Sequence, residues 1–280
     1  MSTELFGSDA YAPAQIARRV EEAGVAKARM ALVPLAMLGL LAGVFIGFGS
    51  LLFVIVKADA SLGLATSQLL GGAVFSLGLV LVVVAGAELF TGNNLLVMAW
   101  ADGLIGWRAV ARNWIVVCLA NFAGAASLAL AVYLSGHTEM GNGAIGRTVV
   151  KIALAKQDLP WEQAFVRGVL CNVLVCMAVW MAMAGRSVID KAIAVVLPVS
   201  AFVAAGFEHS IANMYLMPLA MLIQSGAGAG VGVGVGSVDA AVTVGGMAAN
   251  LAVVIAGNLV GGAGLVSLAY HLIYRREKPR

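Results

Sequence analysis

Residues 86–93 read GAELFTGN, and residues 206–213 read GFEHSIAN. Both stretches follow the pattern G-x-E-x-x-x-x-N, and each lies inside an apolar region long enough to cross a membrane. An ionisable residue in a membrane span is costly, so it usually marks a pathway or a binding site. Two matching interruptions in two halves of one chain indicate an internal repeat with a site between the halves. The pair predicts a small-solute pore with His209 at its centre.

The composition is that of a polytopic membrane protein. Hydrophobic residues make up 61% and charged residues 11% of the 280 positions, whereas soluble domains carry about 25% charged residues. A bilayer core needs roughly 20 apolar residues per helix. Six regions meet this need and leave no room for a soluble catalytic domain: 31–56, 68–100, 110–135, 162–184, 188–224 and 240–274. The net charge of +3 predicts no nucleic-acid partner, because the basic residues lie at the ends of the spans.

The regions 68–100 and 188–224 are longer than a straight helix needs, so we expect each to be two half-helices joined by a loop. Unwound backbone at membrane depth is tolerated only where it is buried in protein or lines a wet cavity. The stretch Asn121–Gly124 parallels Asn258–Gly261, which relates helices one to three to helices four to six. Three spans per repeat give the halves opposite orientations and place the site near the midplane. The sequence therefore predicts an all-α membrane protein with six transmembrane helices, an inverted three-helix repeat and an aquaporin-like fold with broken helices two and five.

The distribution of basic residues predicts the orientation, because cytoplasmic segments carry an excess of Lys and Arg. With the N-terminus inside, twelve basic residues fall on the inner side: Arg18, Arg19, Lys27, Arg29, Arg108, Arg112, Arg186, Lys191, Arg275, Arg276, Lys278 and Arg280. Four fall on the outer side: Lys57, Arg147, Lys151 and Lys156. We expect a cytoplasmic segment over 1–30, a channel domain over 31–274, and a cytoplasmic tail over 275–280, in the inner (cytoplasmic) membrane.

Three further segments carry structural predictions. Residues 13–29 are predicted to form an interfacial helix, since Pro13 suits a first helical position and apolar residues recur along one face. In the first span, Gly39, Gly43 and Gly47 form a small-residue ridge suited to close helix packing, within the protomer or between protomers. The low-complexity stretch 226–237 is predicted to be a flexible extracellular loop.

His209 is the principal candidate for chemistry, because a neutral imidazole in a membrane needs hydrogen-bond partners and can bind a proton. The alternative is a structural histidine. No second histidine or cysteine lies at ligand spacing, and the three cysteines are expected to be packed thiols, so we expect no metal and no cofactor. Glu88 and Glu208 either hold the broken-helix geometry or relay protons. Asn172 either meets a permeating anion or bridges helices.

Three separated stretches resemble the formate–nitrite transporter family of pentameric anion channels. They are 87–93 (AELFTGN), 168–178 (GVLCNVLVCMA) and 206–214 (GFEHSIANM), and the likeness covers nearly the whole chain. The run 170–191 and the ending 257–262 are most similar to the formate branch. The Gly/Val-rich stretch around 226–236 departs from that pattern.

The resemblance implies a set of roles. His209 would be the central pore residue and Thr91 its partner on the opposing loop. Lys156 and Asn172 would attract or orient the anion. The narrow apolar slits would be formed by Phe75, Leu79, Leu89 and Phe202, which taken alone are ordinary core residues. The motif residues Glu88, Asn93, Glu208 and Asn213 would support the loops, and the assembly would be a homopentamer.

The function that follows is a channel or proton-coupled permease for formate and similar small monovalent anions such as acetate and lactate. Nitrite or hydrosulfide would use nearly the same pore chemistry. A neutral-solute pore of the aquaporin type is disfavoured because paired Asn-Pro-Ala loops are absent from the sequence. A membrane enzyme or redox subunit would need haem-ligating histidines or a catalytic cluster, and only His209 lies deep in a predicted span.

Overall fold

The computed structural model describes residues 10–228 and 240–275. Within these ranges there is no β-strand, and the chain forms helices joined by short loops. The helices are α1 Pro13–Arg29, α2 Leu32–Ala58, α3 Leu64–Gly86, α4 Leu96–Ala101, α5 Trp107–Leu134, α6 Ala144–Gln157, α7 Trp161–Ala184, α8 Val188–Ala204, α9 Ser210–Gly228 and α10 Val244–Tyr274. A 3₁₀ turn, Gly92–Leu95, leads directly into α4.

Five of these helices are long and apolar enough to cross a membrane: α2, α3, α5, α7 and α10. The chain is therefore an all-helical, multi-pass membrane protein. The predicted region 188–224 is divided between α8 and α9. Helix α6 lies between the third and fourth predicted regions, where neither an apolar span nor a helix was predicted.

The glycine ridge of α2 faces α5 of the same chain. A Cβ placed on Gly43 would overlap the backbone oxygen of Asn121, and one on Gly39 would lie 2.7 Å from the Cβ of Ala120. In the second half, a Cβ on Gly261 of α10 would overlap the backbone oxygen of Val169 in α7. Small residues let helix backbones approach closely in membranes. The ridge therefore serves packing within the protomer, which was one of the two predicted alternatives.

Each G-x-E-x-x-x-x-N stretch begins where a helix ends. Gly86 and Gly206 have φ of +85° and +71°, a left-handed conformation that glycine adopts without a Cβ penalty. The backbone N–H of Ala87 donates to Val82 O, and that of Phe207 donates to Phe202 O, as in a Schellman C-cap. Non-helical backbone follows in both halves, and helical structure resumes at 92 and 210. The first glycine of the motif is thus explained by helix termination.

The helix packing repeats between the two halves. Helix α2 packs along α5, and α7 packs along α10. Helices α3 and α8, which precede the two motif loops, pack against each other at the centre. This arrangement brings the two loops, more than a hundred residues apart in sequence, to the same part of the molecule.

Helix α1 forms where it was predicted and packs onto the rest of the fold. Ile16 and Val20 are buried in a cluster with residues of α4, α7 and α10. Arg275 after α10 bonds Glu21 of α1 at 2.8 Å and Asp102 after α4 at 3.1 Å. Residues 1–9 and 276–280 of the predicted terminal segments, and residues 229–237 of the predicted flexible loop, lie outside the described ranges. Residues 226–228 of that predicted loop are instead the last residues of α9.

Candidate functional site: a paired-loop pore

The first motif loop is held by a buried polar network. The Nζ of Lys27 in α1 donates to Glu88 Oε1 at 2.7 Å and to Asn93 Oδ1 at 2.9 Å. Asn93 Nδ2 donates to Glu88 Oε2 at 2.7 Å and to Asn113 Oδ1 in α5 at 2.9 Å. Buried charges are stable only when paired and hydrogen-bonded. This network therefore ties the loop to α1 and α5.

The second motif loop is held by a similar arrangement, although within the described residues Asn213 Oδ1 has no bond like that from Lys27 to Asn93 Oδ1. Lys156 Nζ in α6 donates to Glu208 Oε1 at 2.8 Å, and Asn213 Nδ2 donates to Glu208 Oε2 at 2.8 Å. Asn213 Nδ2 also donates to Asn250 Oδ1 in α10 at 2.8 Å, and Asn250 Nδ2 donates to the Lys156 backbone oxygen at 2.9 Å. The structure thus places Lys156 in an ion pair with the loop. Lys27 is its counterpart in the first network, so the correspondence between the two halves extends to α1 and α6.

Two further asparagines satisfy the unwound backbone. Asn121 Nδ2 donates to Glu88 O at 2.9 Å, while its Oδ1 accepts the N–H of Phe90 at 2.9 Å. Asn258 Nδ2 donates to Glu208 O at 3.0 Å, and its Oδ1 accepts the N–H of Ser210 at 3.1 Å. Unpaired backbone groups are very costly in lipid. These amides therefore replace the hydrogen bonds that the interrupted helices give up.

His209 lies between the two loops and is fully hydrogen-bonded. Its Nδ1 accepts the backbone N–H of Ala212 at 3.2 Å, and its Nε2 lies 3.1 Å from Thr91 Oγ1. Because Nδ1 is an acceptor, the neutral ring carries its proton on Nε2, which then donates to Thr91. The imidazole is buried, and its ring stacks on Phe202 with centroids 5.8 Å apart. The predicted pair His209 and Thr91 is brought together.

The four predicted constriction residues surround the same point. Phe75, Leu79, Leu89 and Phe202 are buried and line one narrow space with His209, together with Ile46, Val175 and Val199. The rings of Phe75 and Phe202 meet edge to face, with centroids 5.8 Å apart. This space admits no water-sized sphere. The structure therefore shows a narrow apolar space with one imidazole in its wall.

A wider cavity of about 350 Å³ opens on the α1 side of this passage. Its polar lining comes from Lys27, Glu88, Asn93 and Lys191. Leu79 and Leu89 line both the cavity and the narrow space, so they form the boundary between the two. Helix α1 closes part of the cavity wall through Val20, Ala23, Gly24 and Lys27.

Asn172 lies behind the loops and bridges elements. Its Nδ2 donates to the backbone oxygens of Asn258 at 2.7 Å and Thr91 at 3.3 Å, and to Asn94 Oδ1 at 3.1 Å. Asn172 is fully buried and is not among the residues that line either cavity. Of the two predicted roles, these contacts match bridging between helices.

Sequence reasoning did not identify Lys27, Asn113 and Asn250 as site residues, and it used Asn121 and Asn258 only as markers of the repeat. A signal was present, because Lys27 and Lys156 each precede the first span of one half. Both lysines lie outside the apolar runs, so Lys27 was not predicted to be a polar group at membrane depth.

Two sequence-related loops, an ion pair behind each loop and an apolar ring around one histidine define a class of protein: a membrane transport protein built from an internal repeat. The chain belongs to the formate/nitrite transporter family, because the sequence pattern of that family matches residues 14–272. It is 40% identical over 274 residues to the formate channel FocA of Escherichia coli K12, and the match covers 96% of each chain. It is 35% identical over 270 residues to the formate channel BtFdhC of Bacillus thuringiensis, which covers 95% of this chain and 97% of that one.

Solved structures show the same fold. A pentameric formate channel with formate bound matches with a TM-score of 0.78 at 36% identity and covers 87% of this chain and 98% of that one. An ion channel of the FNT family matches with a TM-score of 0.80 at 28% identity and covers 92% of this chain and 98% of that one.

Proposed function

We propose that this protein is a membrane channel or permease for formate and similar small monovalent anions, with protonation of the anion at His209. The observation that carries the proposal is the narrow apolar space between the loops. Of the eight residues that line it, only His209 is polar. The relatives named as formate channels support formate as the substrate.

The chemistry of the passage favours a neutral species. A bare carboxylate loses its hydration between Leu79 and Phe202, which costs many kcal/mol. Transfer of a proton from protonated His209 to formate removes two charges at once. In water this transfer is uphill, because formic acid is a stronger acid than imidazolium, but a low dielectric favours the neutral pair. The imidazolium carries a proton on both ring nitrogens, so it forms only when Nδ1 releases the Ala212 N–H. Nε2, which faces Thr91, then gives its proton to the anion, and the ring keeps its Nδ1 proton until it returns to the resting tautomer.

Thr91 is the group that orients the imidazole for this step. Its Oγ1 lies 3.1 Å from Nε2, so the hydroxyl holds the ring toward the opposing loop. Glu88 and Asn93 hold the first loop, and Glu208 and Asn213 hold the second, each through the network described above. Lys156 neutralises the Glu208 carboxylate of the second loop, and Asn172 keeps the backbone at Thr91 in place.

The architecture proposed for this function has six crossings. Helix α3 with the turn and α4 would form the second crossing, and α8 with α9 the fifth, each interrupted at its motif loop. The odd number of crossings per half gives the inverted repeat. We propose a homopentamer with one pore per protomer, which the pentameric formate channel of similar fold supports.

The placement in the cell is proposed from charge. The excess of basic residues on one side supports an orientation with both termini in the cytoplasm, and we propose the inner membrane as the location. Residues 1–30 and 275–280 would flank a channel domain over 31–274. The named relatives are channels or transporters, so transport without catalysis is the proposed activity.

The test is formate flux into proteoliposomes against external pH, for the wild type and for His209→Asn. Asparagine keeps a polar group of similar size but cannot donate a titrating proton. We expect proton-coupled uptake to fall by about tenfold or more, equivalent to about 1.4 kcal/mol on the barrier. Dependence on the proton gradient should be lost more completely than anion conductance. Lys151→Gln, an exposed change away from the passage, is the matched control.

Nitrite, hydrosulfide, acetate, lactate and chloride are measured in parallel to define the substrate range. Faster nitrite or hydrosulfide flux would reassign the physiological substrate within the family. An unchanged formate flux and an unchanged pH profile in His209→Asn would show that His209 is structural. Oligomer size, measured by native mass spectrometry, checks that the variant is folded and tests the pentamer.

A further inference from the structure

The wide cavity on the α1 side carries a charge that the paired loops do not explain. Its charged lining consists of Lys27, Glu88 and Lys191. Lys27 and Glu88 neutralise each other, since their charged atoms lie 2.7 Å apart. What remains is the ammonium of Lys191, in the first turn of α8.

Lys191 has no acidic partner among the residues of the described ranges. No carboxylate oxygen in 10–228 or 240–275 lies within 4.0 Å of its Nζ. The adjacent Asp190 is directed elsewhere, because its Oδ2 accepts the backbone N–H groups of Arg186 and Ser187 at 3.1 and 2.9 Å. The cavity therefore has a net positive charge, and Lys191 supplies it.

Lys191 itself has no counterpart on the matching helix of the first half. Counting back equally from the two motif glycines, the position in α3 that corresponds to Lys191 is Gly71. The side chain of Lys57 in α2 lies beside this position, with its Cδ 3.8 Å from a Cβ placed on Gly71, and its Nζ donates to Ser67 Oγ and Gln68 Oε1. Of the two lysines that line the cavity on the α1 side, Lys27 has a carboxylate partner and Lys191 has none among the described residues.

We propose that Lys191 is an anion-recruiting residue of the wider cavity on the α1 side. Its charge raises the local concentration of small carboxylates before they reach Leu79 and Leu89. The proposal rests on the proposed function and adds a site to it. An apolar cavity wall keeps the dielectric low, and a single uncompensated charge in a cleft then acts on anions over several ångströms. Lys27 cannot serve in this way at full strength, because Glu88 cancels its field beyond a short distance.

The test is a charge series at this one position. Initial formate efflux from the α1 side is measured at a formate concentration well below half-saturation and at roughly 10 mM ionic strength. Lys191→Gln should reduce efflux about two- to threefold, the effect of removing one unit charge roughly 8 Å from the anion in water. Lys191→Glu should double that effect on a logarithmic scale, to about four- to ninefold. Lys191→Arg should retain wild-type efflux.

Two controls separate recruitment from a structural role. Salt of an impermeant anion at roughly 0.5 M should remove the differences, because the Debye length falls to a few ångströms. Lys151→Gln, an exposed change on α6, should leave efflux unchanged. Equal efflux across the Gln, Glu and Arg variants, or a loss that salt does not remove, would overturn the proposal. Absence of formate flux in the wild type would instead overturn the proposed function.

Discussion

The ion pair of Lys156 and Glu208 is expected to be a main determinant of stability. Its charged atoms are 2.8 Å apart, and the two side chains are only 16% and 5% exposed. Lys156→Met would leave the Glu208 carboxylate buried, with the Asn213 amide as its remaining side-chain donor. Removing one partner of a buried pair costs about 3–5 kcal/mol. We expect about 3 kcal/mol here, because some water reaches the lysine.

The double variant separates the pair from its parts. In Lys156→Met with Glu208→Gln, no charge is left without a partner, and the glutamine can still accept from Asn213. Replacing both members of a buried pair is often nearly neutral. The double variant is therefore expected to lose less than either single variant, at about 1–2 kcal/mol.

The assay is SDS-titrated unfolding of the purified protein, followed by intrinsic fluorescence. Lys151→Met is the matched control, since Lys151 lies on the same helix and is exposed, and such changes fall within about 0.5 kcal/mol. The reasoning is refuted if Lys156→Met costs no more than Lys151→Met. It is also refuted if the two single losses simply add in the double variant.

Two further changes test the loop and the passage. Gly206→Ala should lower the free energy of unfolding by about 1 kcal/mol in the same titration, because the φ of Gly206 is +71°. Gly63→Ala should lower it little, because Gly63 has a φ of −61° and open space around it. Equal losses would contradict the helix-end explanation. Phe202→Leu removes the ring that contacts both Phe75 and His209, so formate flux should rise severalfold and lactate should begin to pass. Wild-type flux and selectivity in this variant would show that Phe202 does not limit the passage.

The sequence predicted the parts of the site whose signal is local. Gly86 and Gly206 interrupt apolar helices, and a carboxylate two residues later is costly in a membrane, so the two loops were visible as a spacing. The resemblance to a known family supplied the roles of Thr91 and the apolar ring. Their proximity to His209 arises from tertiary packing, which spacing alone does not predict.

The ion-pair partners were harder to predict. Lys27 lies 61 residues from Glu88, and Lys156 lies 52 residues from Glu208. Neither lysine is in an apolar run, and both are on helices that lie beside the spans. A hydropathy search therefore treats them as surface charges. Their role is evident from the structure, where each lysine pairs with the buried carboxylate of one loop.

The repeat shows how one scaffold carries chemistry in only one half. The anchoring residues match in both halves, since Lys, Glu and Asn recur at corresponding positions and make corresponding hydrogen bonds. The residue that follows the glutamate differs between the loops: it is Leu89 in the first and His209 in the second. Both side chains line the same narrow space.

This difference is what the proposed mechanism needs. Two histidines facing each other would make the passage polar from both sides and would weaken the desolvation that drives proton transfer. Two leucines would leave no proton donor. One of each gives an apolar wall and a single titratable group, with Thr91 of the first loop holding the imidazole of the second. The proposed function therefore depends on departures from symmetry at two positions, where Leu89 corresponds to His209 and Thr91 to Ile211, supported by symmetry at the anchoring positions.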